Sequence, residues 1–251
     1  MDNVLCMKWG TKFSSEYVNI LASRVKRHLS RPHRFICFTD DPTGLRRDVK
    51  VRPLPEMTGL DGRPERGWRK LTLFQEKLAD VEGTALFLDL DVVILDSLDP
   101  FFEVPGAFRI VEDWNLPGKN IGNSSVFRFE VGAHPEILDY FLKNRDAVYA
   151  EHRNEQAYLS WAARRGGFFG YWDANWCLSF KKHYMRRFPL GYFCEPKQRQ
   201  GVKIVVFHGN PHPDGVRTGW RGSWGCAPSK RRRGSPKIGR KSRLKSNALT
   251  L

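Results

Sequence analysis

The sequence contains little cysteine, and its cysteines are not paired. Five cysteines are spread over separate segments of the 251 residues, and no two of them form a Cys-x-x-Cys motif. An odd, scattered set argues against a disulfide framework and against a zinc ribbon. We therefore expect reduced, mostly buried thiols in a cytoplasmic protein.

Long apolar runs are also missing. No stretch reaches the roughly 20 apolar residues that a membrane-spanning helix needs. The apolar run between Asp2 and Lys8 is too short for a signal peptide. The chain length allows one α/β domain with a sizeable core, or at most two small domains. We expect such a protein to reach lipid-linked material only from the membrane surface.

Acidic residues are absent from residues 229–251, which hold nine Lys and Arg residues. The net charge is +15, so residues 1–228 carry only +6. Because the segment also lacks apolar periodicity, we predict a globular domain over residues 1–228 and a basic disordered tail over residues 229–251.

The charge of this tail fits more than one role. Its basic residues between 229 and 245 suit peripheral contact with an anionic membrane, such as the inner face of a cell membrane. The same charge would suit a nucleic-acid partner or plain solvation. Residues 1–228 lack basic clusters of that density, so a nucleic-acid partner is not favoured.

The most informative stretch is residues 85–95, where nine of eleven positions are apolar and the others are Asp89 and Asp91. A short run rich in Val, Ile, Leu and Phe predicts a buried strand of a parallel sheet. Burying a bare carboxylate costs more than one strand gains, so we expect the strand to end at Asp89. Both carboxylates then lie at the carboxyl edge, where open α/β sheets bind ligands. Residues two apart in an extended segment point the same way, so the pair can hold one Mg²⁺ or Mn²⁺ ion that carries a diphosphate.

Two other interpretations of this pair stay open. An Asp-x-Asp triplet arises by chance in a chain of this size, so the pair can be structural or solvated. A HAD-type phosphatase also has an apolar strand ending in Asp-x-Asp, and Asp89 would then be the nucleophile. Such enzymes need a downstream lysine and a second acidic pair after another strand. The last strong strand here ends in His208-Gly209, with no acidic pair.

Periodicity and turn residues place the remaining segments. A strand at 3–7, a helix at 14–29 and a strand at 34–39 form a βαβ unit, followed by an edge segment at 49–55. We predict further helices at 68–79, 134–149 and 154–164, and further strands at 106–111, 121–129 and 202–207. The aromatic residues of 168–184, among them Trp172 and Trp176, suit core packing or an acceptor sugar.

Four motifs, in order, resemble those of nucleotide-sugar glycosyltransferases of the GT-A fold, and most of all family 8, the lipopolysaccharide galactosyltransferase type. The first two are Asp89-Leu90-Asp91 and Asn123-Ser124-Ser125, the latter where the family has Asn-Ala-Gly. The others are Glu155-Gln156, where the family has Asp-Gln, and the run from Phe207 to Pro213, which is similar to His-x-x-Gly-x-Lys-Pro-Trp but lacks residues after His208. The resemblance spans about residues 1–215. It implies a single GT-A domain, an α/β fold with a Rossmann-like, mixed, mostly parallel sheet flanked by helices.

The resemblance also implies a function. It implies a metal-dependent hexosyltransferase that moves a sugar, with retention, from a nucleotide diphosphate donor such as a UDP-sugar to a saccharide or lipid-linked acceptor. The implied Mn²⁺ or Mg²⁺ ligands are Asp89, Asp91 and His208. Gln156 would stabilise the oxocarbenium-like state, and Glu155 would bind the sugar. The other implied donor-site residues are Lys8, Thr11 and Asp40 for the nucleoside, Lys70 for the diphosphate, Asp113, Asn123 and Ser124 for the sugar, and Leu90 and Gly209 beside them.

Plainer roles remain open for several of these residues. Lys70 suits a solvated helix face, and His208 suits an ordinary loop. Asp40 suits a turn, as do residues 123–125. Glu155 suits a helix N-terminus, where the helix dipole favours an acid.

Overall fold

The computed structural model of the chain describes residues 1–58, 67–185, 199–209 and 212–213. The predicted basic tail, and the membrane contact assigned to residues 229–245, lie outside the described residues. The boundary at residue 228 also lies outside them and stays a prediction.

The described strands belong to two sheets. They are β1 Asp2–Lys8, β2 His33–Thr39, β3 Lys50–Pro53, β4 Thr84–Leu88, β5 Val92–Ile94, β6 Arg109–Glu112, β7 Gly122–Glu130, β8 Cys177–Ser179 and β9 Ile204–Val206. The larger sheet has the order β3-β2-β1-β4-β7-β6. Its first four strands run parallel to one another, while β7 is antiparallel to both β4 and β6. The predicted mixed, mostly parallel sheet is confirmed.

Helices cover both faces of this sheet. They are α1 Ser15–His28, α2 Asp99–Glu103, α3 Glu136–Lys143, α4 Arg145–Glu151, α5 Glu155–Arg165, a 3₁₀-helix at Trp68–Phe74 and a π-helical turn at Phe180–Tyr184. The apolar face of α1 packs with Leu86 and Leu88 of β4 on one side. The 3₁₀-helix, α3 and α5 pack with Ala85 and Phe87 on the other. Alternate residues of β4 therefore enter two separate cores, which explains why its sequence is continuously apolar.

The apolar run 85–95 does not form one strand. Strand β4 ends at Leu88, and after Asp89–Asp91 the chain continues as β5 in a small second sheet of order β5-β9-β8. The amide of Asp89 still donates to the carbonyl of Ser125 on β7, at 2.9 Å, and the amide of Phe207 donates to the carbonyl of Asp91, at 3.0 Å. The two aspartates therefore lie at the crossing between the sheets, with backbone bonds on both sides.

Three predicted segments differ from the structure. The helix expected at 134–149 is two helices, α3 and α4, because the backbone of Asn144 between them leaves helical geometry, with φ −126° and ψ 33°. The helix expected at 68–79 is a 3₁₀-helix that ends at Phe74. Residues 121–129, expected to begin as a turn, belong to strand β7 from Gly122 onward.

Among the described residues, no helix combines the length and the apolar character that crossing a membrane requires.

Candidate donor and metal site

The site begins at the carboxyl edge of β1 and β4, where parallel strands end together. An open cavity of about 340 Å³ lies at this edge, and Asp89, Leu90 and Asp91 form part of its wall. Asp91 is 9% exposed, whereas the Asp89 side chain is 24% exposed. The predicted placement of the two acids at a ligand-sized opening therefore agrees with the structure.

Lys70 is a buried cation of the site and not part of a solvated face. It is 6% exposed, and its ammonium group lies 2.7 Å from Oδ1 and 2.8 Å from Oδ2 of Asp89. It also donates to the carbonyl oxygen of Ser124, at 3.0 Å. The ammonium group lies 5.2 Å from the centre of the Phe87 ring. Lys70 is thus fixed against the end of β4 and also lines the cavity.

The electrostatics of the cluster follow from burial. Burial, and then the charge of Asp89, raises the pKa of Asp91 to about 7. Burial also raises the pKa of Glu155. Burial by itself would lower the pKa of Lys70, but the charges of Asp89, Glu155 and Asp91 outweigh that effect and raise it. Three carboxylates act on one buried ammonium group, and the raised pKa values of Asp91 and Glu155 reflect the cost of keeping their charges out of water.

The first residues of β7 and α5 meet beside this cluster. Ser124 donates from its hydroxyl to Oε1 of Glu155, at 2.6 Å. Gln156 donates to Oδ2 of Asp113, at 3.1 Å, and accepts from the amide of Ser124, at 3.4 Å. Asn154 caps α5 by accepting from the amide of Ala157. Residues 123–125 are therefore not a turn, and five of the predicted sugar-site residues lie together: Asp113, Asn123, Ser124, Glu155 and Gln156.

The predicted nucleoside residues follow β1 and β2. Lys8 is buried and donates to the carbonyl of Asp41, at 3.3 Å. Asp40 accepts from the amide of Gly10, at 3.0 Å, and is exposed, as is Thr11. Asp40 therefore joins the loop after β2 to the loop after β1, while the local turn bond is made by Asp41, which accepts from the amide of Thr43 at 2.9 Å.

The cavity wall also contains residues that sequence reasoning did not single out. Trp9, Lys12 and Phe13 line it, and the charge of Lys12 acts on Asp91. Their position in the sequence could have identified them, because they lie next to Lys8 and Thr11 at the end of β1. Gly67 lines the cavity as well.

The backbone just before His208 lies close to the aspartates, because the amide of Phe207 donates to the carbonyl of Asp91. The side chain of His208, however, contacts other groups. The imidazole Nε2 shares a 2.6 Å hydrogen bond with the hydroxyl of Ser179, and the ring stacks on Trp114 with centroids 5.6 Å apart. Burial lowers the pKa of His208. Gly209 follows it with a φ of +71°. Within the described part of the chain, no group of three or more His, Cys, Asp or Glu side chains is arranged to hold a metal ion. The ligand role of His208 stays a prediction.

The donor set of Asp89 and Asp91 nevertheless fits a hard divalent cation. Two carboxylates line one cavity, and the charge of Asp89 is one reason why the pKa of Asp91 is raised. Mg²⁺ is commonly held in proteins by one or two carboxylates, with substrate phosphates and water completing the coordination. Asp89 and Asp91 are the residues that would hold such an ion.

Asp113 lines a second cavity of similar volume. Its wall includes Trp114, Trp172, Asp173 and His183. Trp172 is 5% exposed and donates from its indole nitrogen to the carbonyl of Val126. Most of the surface of the Trp172 ring is therefore packed in the core.

Comparisons with known proteins were made at the levels of sequence and structure. No family model and no curated protein matches the chain. Among solved structures, one of an active-site Gln-to-Glu mutant of LgtC matches with a TM-score of 0.58 and 15% identity, covering 84% of this chain and 89% of that one. A structure of galactosyltransferase LgtC in complex with donor and acceptor sugar analogues matches with a TM-score of 0.56 and 14% identity, covering 84% and 88%. The chain therefore has the GT-A fold of the LgtC structures, which confirms the resemblance at the level of the fold.

Proposed function

We propose that this protein is a metal-dependent glycosyltransferase. It transfers a sugar, with retention of anomeric configuration, from a nucleotide diphosphate donor, a UDP-sugar, to a saccharide or lipid-linked acceptor. The observation that carries the proposal is the pair Asp89 and Asp91 on the wall of a cavity at the carboxyl edge of a GT-A sheet. The similarity to a galactosyltransferase solved with donor and acceptor sugar analogues supports two saccharide subsites.

The metal end of the donor site would be formed by Asp89 and Asp91. They would hold Mn²⁺ or Mg²⁺, which neutralises charge on the leaving diphosphate. Lys70 holds Asp89 in place through two contacts under 3 Å. Lys12, at the opening, is better placed than Lys70 to meet an outer phosphate, because its side chain is exposed. Trp9 and Phe13 would flank the nucleoside.

The sugar end of the site would be formed at the start of α5. Gln156 is half-buried and bridges Asp113 and Ser124, so its amide lies between two strand ends. In this proposal Gln156 stabilises positive charge at the anomeric carbon, while Asp113 and Asn123 bind sugar hydroxyls. Glu155 is 5% exposed and supports this arrangement from the protein side.

A ligand screen tests the donor assignment. Melting temperature is measured with nucleoside diphosphates and their sugars, each with and without Mn²⁺. A donor at about 100 times its Kd stabilises the fold by about 2.7 kcal/mol, or roughly 5–10 °C for a chain of this size. The shift should need Mn²⁺ and should be absent in Asp91→Asn, with exposed Asp139→Asn as the matched control.

Transfer itself is measured by following product formation with an acceptor panel, and the product anomer is assigned by NMR. Asp91→Asn should abolish transfer, and Asp139→Asn should not change it. Phosphate-ester hydrolysis that survives excess UDP-sugar, without sugar release, would instead identify a HAD-type phosphatase with Asp89 as nucleophile. Full transfer activity in Asp91→Asn would contradict the metal assignment.

A further inference from the structure

Glu155 is buried in a space that exists because residue 67 has no side chain. A Cβ atom built on Gly67 would lie 2.8 Å from Cδ of Glu155 and 2.9 Å from each of its carboxylate oxygens. Real Cβ atoms essentially never approach other atoms so closely. The carboxylate therefore packs directly against the backbone that begins the 3₁₀-helix carrying Lys70.

A single hydroxyl ties this carboxylate to the rest of the cluster. The Oγ of Ser124 donates to Glu155, at 2.6 Å, and accepts from the ammonium group of Lys70, at 3.3 Å. Lys70 in turn contacts both oxygens of Asp89. A continuous buried chain of contacts thus runs from the start of α5, through β7, to the end of β4.

The residue after Glu155 is Gln156, whose amide bridges Asp113 and Ser124. Because both residues belong to the first turn of α5, the seat of the Glu155 carboxylate sets the position of Gln156. We propose that Gly67 and Ser124 are positioning residues, which seat Glu155 so that Gln156 keeps a fixed position relative to Asp89. The functional part of this inference rests on the proposed transferase activity, whereas the structural part does not.

The structural test is a pair of substitutions that act on the same space. Gly67 has a φ of +88°, so an alanine there is strained as well as crowded. Gly167, with a φ of +78° and no atom within 4 Å of the added Cβ, measures the strain alone. Gly67→Ala should lower the melting temperature by roughly 4–8 °C more than Gly167→Ala does. Glu155→Asp withdraws the carboxylate by one carbon–carbon bond and so relieves the crowding. In that background, Gly67→Ala should lower the melting temperature only by the amount that Gly167→Ala does, which is the strain component.

The functional test uses the same cycle. Gly67→Ala should lower kcat about 10-fold or more, with the KM for the donor changed less than about 3-fold, because the amide of Gln156 is displaced. In the Glu155→Asp background the same substitution should change kcat less than about 2-fold. Ser124→Ala, made in both backgrounds, should follow the same pattern. A large loss from Ser124→Ala in both backgrounds would instead identify Ser124 as a direct sugar ligand and overturn its positioning role.

The two tests fail separately. If the melting temperatures of the Gly67 and Glu155 variants are additive, the proposed seat is wrong, whatever the activity. If the melting temperatures are coupled but the kcat values are additive, the seat is structural only and the positioning role is overturned. If the wild-type protein transfers no sugar, the proposed function fails, and the melting-temperature cycle still decides whether Gly67 seats Glu155.

Discussion

Replacing Lys70 by methionine removes a buried positive charge at the end of β4 while keeping a side chain of similar length. The ammonium group is in contact with both oxygens of Asp89 and with Ser124, and it is 6% exposed. Its loss leaves the carboxylates of Asp89, Asp91 and Glu155 facing one another without that cation. We expect the free energy of unfolding of the variant to be lower than that of the wild type, and the loss to be largest at alkaline pH.

The magnitude follows from the burial of the pair. Removing one partner of a buried ion pair costs about 3–5 kcal/mol. Asp89 is 24% exposed, so water replaces part of the lost contact and the lower end, about 3 kcal/mol, applies. For a chain of this size that corresponds to a fall in melting temperature of roughly 6–12 °C at pH 8.

The pH dependence has a definite direction. The charge of Lys70 lowers the pKa values of Asp91 and Glu155 in the wild-type protein, against the larger raising effect of burial. Without Lys70 both pKa values rise further, so the folded state binds more protons than the unfolded state from about pH 4 upward. Stability then falls as the pH rises, and the variant should lose less at pH 5 than at pH 8.

The wild type, Lys70→Met and the exposed control Lys119→Met are compared by urea unfolding at pH 5 and pH 8, and by thermal melting at pH 8. A loss at pH 8 that is clearly larger than the loss at pH 5, with no effect in the control, is the expected result. Equal losses at the two pH values would mean that Lys70 stabilises by packing and not by charge. A melting temperature within about 2 °C of the wild type would refute the reasoning about the buried pair.

Three further predictions concern other parts of the chain. Asp91→Asn should stabilise the metal-free protein at pH 8 by at most about 4 kcal/mol, measured by urea unfolding, because the pKa of Asp91 is raised to about 7 and its ionisation costs folding energy as the pH rises above 4. A variant with no gain between pH 5 and pH 8 would contradict this. Asn154→Ala should cost about 1 kcal/mol of stability through loss of the α5 cap, and its kcat should fall with it, whereas Asn175→Ala serves as an exposed control. Removal of residues 229–251 should spare transfer to a soluble acceptor and reduce sedimentation with anionic vesicles, and equal sedimentation would remove the membrane proposal.

Local patterns predicted the parts of the site that depend on strand ends. The continuously apolar sequence before Asp89 indicated a strand buried on both faces, and the cost of burying a charge placed the acids at its end. The structure agrees, because Leu86 and Phe87 enter opposite cores and the chain leaves the sheet at Asp89. The same reasoning placed the polar residues that follow the other strands.

Contacts between distant segments could not be predicted in this way. The pairing of Lys70 with Asp89 depends on how the 3₁₀-helix lies on β4, and a helix face in the sequence indicates only which residues share a side. The seat of Glu155 depends on a missing Cβ at Gly67, and a glycine in a glycine-rich stretch gives no sign of the residue that fills its space. The continuation of the apolar run as β5 in another sheet was also hidden, because β5 and β9 are separated by more than a hundred residues and a run of Val and Ile suits either sheet.

The small sheet has a consequence for the order in which the protein forms during synthesis. Val92 pairs with Val206, and Asp91 receives its backbone bond from Phe207. A ribosome therefore releases the whole of the larger sheet before it releases β9 and Phe207, which hold the turn at Asp89–Asp91 on the side of the small sheet. Nascent chains arrested before Ile204 should hold the larger sheet while this turn lacks its β9 partner, and the ability to bind a ligand there should arise among the last steps of folding.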